Sequence, residues 1–332
     1  MKAVCIDQGG GVEVLRSEAV PEPVLRRDDQ VLVTLKAAGV NPIDAKIRSA
    51  PDRFPITMPA ILGCDGAGVV SAVGDAVTAF APGDEVYFSQ PGFIDRQGTY
   101  AEQVAVDAAL LARKPDRLSF TEAAAAPLVA ITAWEALHDR ARIQPGQRVL
   151  IHAGAGGVGH VAIQLAKQAG AHVATTVSSD EKADFVKRLG ADCVINYRQE
   201  DVTGSVVDWS GGQGVDIAFD TVGGAVLDQC FTCVAPYGDV VTILQPGAET
   251  RWQEARLRNL RFSMELMLSP VMLGLETAKR HQGEILRRCA VLFDQQQLQI
   301  HIGAGFPLDQ AAAAHTCLEQ QHPIGKVVLT ID

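Results

Sequence analysis

Hydrophobic and polar positions alternate over residues 30–36. Val31, Val33 and Leu35 fall on one face, with Leu32 and Thr34 on the other, a period-two pattern that predicts a strand. Pro21, Pro23, Pro42, Pro51, Pro55, Pro59, Pro82 and Pro91 punctuate the same half of the chain. Turn residues at such short spacing fit a compact, partly open barrel better than a helical bundle. From about Pro127 the pattern changes. Apolar runs at 148–154, 172–177, 215–222 and 239–244 predict buried strands, and segments 158–169, 180–189 and 226–234 carry a helical period between them. Strands alternating with helices predict a parallel sheet covered on both faces. A further helical pattern fills 275–293, and the alternation at 326–331 predicts a strand returning to the first half. The expected organisation is a β-rich domain over 1–126 and 273–332, with an α/β domain over 127–272 inserted in it.

A chain of 332 residues, 47% hydrophobic and 20% charged, fits two domains with a large core and excludes disorder. Its longest apolar stretches, such as 123–131, fall short of the ~18–20 residues a bilayer requires, so no membrane partner is expected. A net charge of −10 without a basic block argues against nucleic acid and anionic lipid. Asp7 stands where a signal peptide needs an apolar core, and a cytoplasmic location is expected. The seven cysteines are scattered, as reduced thiols are. Cys230 and Cys233 form the one close pair, which reads as two ordinary thiols on a helix, with a redox or metal role as the alternative.

The sharpest motif is GxGxxG, spelled by Gly154, Ala155, Gly156, Gly157, Val158 and Gly159 between a predicted strand and a predicted helix. In that setting Gly154 permits the tight turn, Gly156 lets backbone N–H groups approach a pyrophosphate, and Gly159 lets the helix pack on the sheet. The anion then rests on the helix N-terminus. An NAD site needs an acid at the end of the second strand, about 20 residues on. Here that strand is followed by Ser178, Ser179, Asp180, Glu181 and Lys182. Two hydroxyls and a lysine suit a 2′-phosphate, which favours NADPH/NADP+ over NADH. Asp180 is the complication: it fits an NAD ribose contact or a helix N-cap.

The chain resembles the medium-chain dehydrogenase/reductase superfamily, in its zinc-independent quinone oxidoreductase branch. The markers run from end to end: Gly39-Val40-Asn41-Pro42-Ile43-Asp44, Gly63-Cys64-Asp65-Gly66-Ala67-Gly68-Val69-Val70, Pro82-Gly83-Asp84-Glu85-Val86 and Gly98-Thr99-Tyr100-Ala101-Glu102. The phosphate loop, Leu189-Gly190-Ala191-Asp192 and Gly325-Lys326-Val327-Val328-Leu329 complete them. The resemblance implies an α/β fold, a GroES-like catalytic domain plus a doubly wound Rossmann domain, with a dinucleotide in the cleft between them. It matches Lys182 and Tyr197, with Ser178 beside them, to residues that hold the 2′-phosphate. Asn41, Thr132, Thr221, Val222, Ile243 and Leu244 match nicotinamide-side contacts. A homodimer paired through the edge of the Rossmann sheet is also implied, and the apolar alternation at 260–268 suits such an edge.

Zinc-bearing relatives place a Cys in the segment matching 40–44, a His-Glu pair at the positions of Cys64-Asp65, and four further cysteines in a structural lobe. This chain has Asn41-Pro42 and Cys64-Asp65, and no cysteine between Cys64 and Cys193. A catalytic zinc needs three protein ligands, so no metal is expected. Without a Lewis acid the suitable substrates delocalise charge themselves: quinones and α,β-unsaturated carbonyls. Lys46 is a candidate donor to the developing oxyanion, with a surface lysine as the alternative. Asn41 and Asp44 are candidates for positioning substrate or nicotinamide; alternatively they form only a turn and a helix cap. Tyr87 is a phenol near the site, or a residue that closes the barrel. The leading function is NADPH-dependent quinone reduction. Enone or alkenal double-bond reduction is the rival, and a zinc alcohol dehydrogenase or a non-catalytic RNA-binding or structural relative is disfavoured.

Overall fold

A computed structural model describes residues 1–94 and 96–332. Eight strands come first: β1 (Lys2–Ile6), β2 (Arg16–Ala19), β3 (Gln30–Val40), β4 (Ala60–Ile61), β5 (Asp65–Val73), β6 (Glu85–Ser89), β7 (Gln103–Asp107) and β8 (Leu111–Arg113). Six follow, β9 (Arg148–Ile151), β10 (His172–Val177), β11 (Cys193–Asn196), β12 (Val215–Asp220), β13 (Val234–Thr242) and β14 (Arg261–Met264). Then come β15 (Ile302–Pro307) and β16 (Lys326–Thr330). The chain divides into two compact units, one of Met1–Leu128, Leu268–Gln296 and Ile300–Asp332, the other of Val129–Met267 with Gln297–Gln299.

In the second unit all pairings are parallel, in the order β11-β10-β9-β12-β13-β14. The chain runs outward from β9 through β10 to β11, then returns to β12 on the other side of β9. That reversal makes β9/β12 the topological switch point of a doubly wound sheet. Burial on both faces explains the unbroken apolar runs: Val149, Leu150 and Ile151 are fully enclosed. Leu150, Ala174, Ile195, Ala218, Phe231 and Val240 share one core cluster with Cys230 and Cys233. Both cysteines are free, and burial pushes both thiols up, so the pair serves as packing. Strand β13 starts five residues earlier than the expected 239. Its register on β12 slips between Val215↔Val234 and Ile217↔Asp239, around Tyr237 at φ 68°. The Pro-Tyr-Gly sequence there has turn composition, which hides a strand with an irregularity in it. Gln297–Gln299 joins this unit through Gln164, whose amide exchanges two hydrogen bonds with the Gln299 backbone at 2.8 and 2.9 Å.

The first unit holds a seven-stranded sheet, β15-β16-β3-β5-β6-β8 with β7 also on β3, and a three-stranded sheet, β2-β1-β4. Strand β3 pairs with β5, β7 and β16, all antiparallel. The returning strand expected near the C-terminus is β16, which lies between β3 and β15. Gly39 has a local reason to be glycine: a Cβ there would sit 2.4 Å from the carbonyl oxygen of Ala124 in helix Phe120–Ala125. Tyr87 is fully buried and its hydroxyl donates to the Leu286 carbonyl of helix Glu276–Asp294. Of its two expected roles it takes the packing one. Among the described residues no helix is long and apolar enough to cross a membrane.

Candidate active site

The glycines of the loop after β9 have distinct steric roles. A Cβ on Gly154 would lie 2.1 Å from Thr175 Oγ1, and one on Gly159 would lie 2.3 Å from the Ala153 carbonyl oxygen. Both are needed for the loop to close on the sheet. Gly156, the N-cap of helix Gly157–Gln168, differs: its Cβ would meet only the Ala153 oxygen, at 3.2 Å. The chain itself leaves that side of the loop open, as close approach by an anion to the N–H groups of Gly157 and Val158 requires. The residues present therefore fit a dinucleotide pyrophosphate.

The other expected cofactor residues follow the carboxyl ends of neighbouring parallel strands, which brings them to one edge of the sheet. Ser178 and Ser179 follow β10, Tyr197 follows β11, Thr221 and Val222 follow β12, and Ile243 and Leu244 follow β13. Thr132 lies on helix Pro127–Trp134 and is buried. Asp220 at the end of β12 organises two of these loops. Its carboxylate accepts from the N–H groups of Val222 and Gly223 at 2.9 and 2.8 Å and from Thr242 Oγ1 at 2.7 Å. Thr221 Oγ1 donates to the His152 carbonyl at 2.8 Å, tying the β12 loop to the phosphate loop across the switch point. The His152 ring is buried and burial holds its pKa down near 4, so it is neutral. Sequence reading missed Asp220; an acid at the carboxyl end of a predicted strand, directly after Ile217-Ala218-Phe219, was the available signal.

At the β10/β11 corner, Tyr197 N–H donates to the Val177 carbonyl at 3.1 Å, which sets the Tyr197 segment beside Ser178 and Ser179. Ser179, not Asp180, is the N-cap of helix Asp180–Arg188, accepting from Lys182 N–H at 3.4 Å. Asp180 is instead the first helical residue, exposed in the first turn, which corrects the N-cap alternative. Lys182 is half-buried and Tyr197 exposed. Arg198, exposed next to Tyr197, adds a further cation at this corner.

In the first unit Asn41 caps helix Pro42–Ser49 and is held from three sides. Its N–H donates to Asp44 Oδ2 at 2.8 Å, its Nδ2 donates to Asp65 Oδ2 at 2.9 Å, and its Oδ1 accepts from the Lys326 ammonium. Asp65 Oδ1 also accepts from Leu128 N–H at 3.0 Å. Burial raises Asp65 to about 6, against the pull of Lys326, and lowers the Lys326 ammonium. Asp44 accepts in addition from Tyr100 Oη at 3.0 Å and from the Cys64 thiol at 3.4 Å, and burial raises it to about 7. Asp44 is thus enclosed behind Asn41, while Lys46, two residues on, is exposed. The cap reading of Asn41 and Asp44 is what the local geometry shows; a positioning role is compatible with it.

Among the described residues no group of three His, Cys, Asp or Glu side chains is placed to hold a metal ion. Residues 27–116 match the family model "Alcohol dehydrogenase GroES-like domain", and residues 189–329 match "Zinc-binding dehydrogenase". An NADPH-dependent alkenal/one oxidoreductase of Arabidopsis thaliana is 34% identical, over 99% of this chain and 79% of that protein. The quinone oxidoreductase structure from Coxiella burnetii has a TM-score of 0.84 at 34% identity, covering 100% of this chain and 99% of its own. The Escherichia coli quinone oxidoreductase complexed with NADPH has a TM-score of 0.89 at 28% identity, with 100% of both chains covered. The chain belongs to the medium-chain dehydrogenase/reductase superfamily and is an oxidoreductase, with quinone oxidoreductases among its structural neighbours.

Proposed function

We propose that this enzyme is a zinc-independent, NADPH-dependent reductase of quinones. The observation that carries the cofactor preference is the β10/β11 corner, where Ser178, Ser179, Lys182 and Tyr197 gather and no acid stands at the strand end. When bound, NADPH supplies a hydride. Gly154, Gly156, Gly157, Val158 and Gly159 would hold its pyrophosphate, and the corner would hold its 2′-phosphate. Thr132, Thr221, Val222, Ile243, Leu244 and Asn41 would serve the nicotinamide side. The monoanion left when a quinone has received the hydride takes one proton, from solvent or from the exposed Lys46 ammonium.

Two observations support zinc-independence. The Cys64 thiol is a hydrogen-bond donor to Asp44, and burial with the Asp44 and Asp65 charges pushes its pKa well above the ordinary value. A zinc ligand must be the thiolate. The Lys326 ammonium already lies 3.9 Å from Asp65 Oδ2, a cation where a dication would have to compete. The similarity to the Arabidopsis alkenal/one oxidoreductase favours a second reading, reduction of an enone double bond.

A paired NADPH-consumption assay separates the two, with an ortho-quinone in one arm, a simple enone in the other, and NADH and EDTA controls. Hydroquinone without alkene saturation, insensitive to EDTA, is expected. A saturated ketone as the main product would make the protein an alkene reductase, and loss of activity in EDTA would overturn zinc-independence.

A further inference from the structure

Behind Asn41 the buried side chains form a hydrogen-bond chain with a fixed direction. Arg48 only donates, so its contact with His315 Nδ1 at 3.1 Å makes that nitrogen an acceptor. The proton of the neutral ring is then on Nε2, which donates to Tyr100 Oη across 3.1 Å, and Tyr100 donates onward to Asp44 Oδ2. Arg48 is itself held by two hydrogen bonds to Glu319, at 3.0 and 3.1 Å. Glu319 lies in the wide turn Cys317–Gln321, which directly follows the helix Ala311–Thr316 carrying His315. The Asn41 N–H and the Cys64 thiol also end on Asp44, so three donors converge on one carboxylate. Lys326 is taken up with Asn41 and Asp65, and Arg48 with Glu319 and His315. Among the described residues Asp44 makes no ion pair of its own.

We propose that Asp44 is the positioning residue for Asn41: its ionised carboxylate, held by this directed chain, fixes the head of helix Pro42–Ser49 so that the Asn41 amide keeps one orientation during turnover. This rests on the reading of Asn41 as a nicotinamide-side residue. Protonation of Asp44 weakens the acceptor that holds Asn41 N–H and turns one of its oxygens into a donor facing groups that already donate. The ionisable and charged groups around it are Cys64 and Asp65 at the start of β5, Tyr100 ahead of β7, His315 on Ala311–Thr316, Lys326 on β16, and Arg48 on its own helix. Burial and the Asp65 charge favour the neutral acid, whereas Asn41 N–H, Tyr100 and Cys64 favour the anion, leaving the balance at about 7. Removing one donor therefore raises the pH at which Asp44 ionises.

The test is kcat against pH at saturating NADPH and quinone, for wild type, Tyr100→Phe and Asp44→Asn, with NADPH affinity followed by fluorescence. Wild-type kcat should rise through an inflection near neutrality. Tyr100→Phe should move that inflection to higher pH, and Asp44→Asn should abolish it and lower the plateau about tenfold, with NADPH affinity unchanged in both. An inflection unmoved in Tyr100→Phe, or wild-type kcat throughout in Asp44→Asn, overturns the inference. A purely structural role would lower the melting temperature and leave the inflection in place. Should Asp44→Asn fail to fold, Tyr100→Phe, which deletes a single oxygen, carries the test. Absence of wild-type turnover overturns the functional reading and this inference together; turnover with an unmoved inflection overturns the inference alone.

Discussion

The Lys326 ammonium donates to Asn41 Oδ1 and to the Val40 carbonyl, the latter at 3.3 Å, although 285 residues separate Lys326 from Asn41. With Asp65 Oδ2 at 3.9 Å, it is the cation that makes a buried carboxylate tolerable. Lys326→Met should therefore destabilise the protein by about 3–5 kcal/mol, because it leaves Asp65 buried without its counter-charge. Urea unfolding at neutral pH measures this. Adding Asp65→Asn to the same background should recover part of the loss, and a double variant no more stable than the single one would show that the pair is not coupled.

Cofactor choice is open to a direct comparison. Lys182→Ala and Tyr197→Phe should each raise KM for NADPH and leave NADH turnover nearly unchanged. For Lys182 the loss of a charge-assisted contact corresponds to about 1.5–3 kcal/mol, roughly ten- to hundredfold in kcat/KM. Equal losses with both cofactors would remove the 2′-phosphate assignment.

The phosphate-loop glycines should separate by mechanism. Gly159→Ala places its Cβ against the Ala153 backbone and should cost about 1–3 kcal/mol in folding. Gly156→Ala should leave the melting temperature near wild type while weakening NADPH binding measured by calorimetry. Similar thermal stability for both variants would contradict the steric division.

Much of this was legible in the sequence, and what was not has physical causes. The second unit declared itself because its strands are buried on both faces and its glycines sit at a strand–helix junction; periodicity reports both. The chain of Arg48, His315, Tyr100 and Asp44 did not, since its members lie up to 271 residues from their partners and each has an ordinary local role. Asp44 reads as a cap because it is one; what lies behind it depends on how β5, β16 and Ala311–Thr316 pack. His315 in particular follows four alanines on an unremarkable helix, and its burial comes entirely from tertiary contacts.

Stability against pH should be flatter than the buried histidines suggest. His152 and His315 fall from 6.5 to about 4 on folding, so the unfolded chain binds more protons between those values and stability rises with pH there. Asp44 and Asp65 rise from 3.8 to about 7 and about 6, so the folded chain binds more protons and stability falls with pH over nearly the same window. The two contributions oppose one another between about pH 4 and 6.5. Asp44→Asn removes part of the falling one, so thermal melts of this variant should climb more steeply with pH than wild type. A parallel profile would mean that Asp44 does not titrate in that window.

Strand β14 is one of the two edges of the six-stranded sheet, and Met264 at its end and Leu266 just beyond are 59% and 50% exposed. We expect light scattering to report a dimer, and Met264→Glu with Leu266→Glu to report a monomer. A monomeric wild type would refute the pairing.

The position of β16 sets an order of assembly during synthesis. The six strands of the second unit are complete once Met264 has been made, and from Met267 on that unit lacks only the short segment Gln297–Gln299. The first unit waits for a strand at 326–330 to slot between β3 and β15 and deliver its lysine. On the ribosome, the 37–40 stretch of β3 therefore keeps one edge open until residues 327–330 have been made, exposed to chaperones and to other nascent chains. Asn41 has Asp44 and Asp65 as partners from early on, but gains its third contact only when Lys326 has been made.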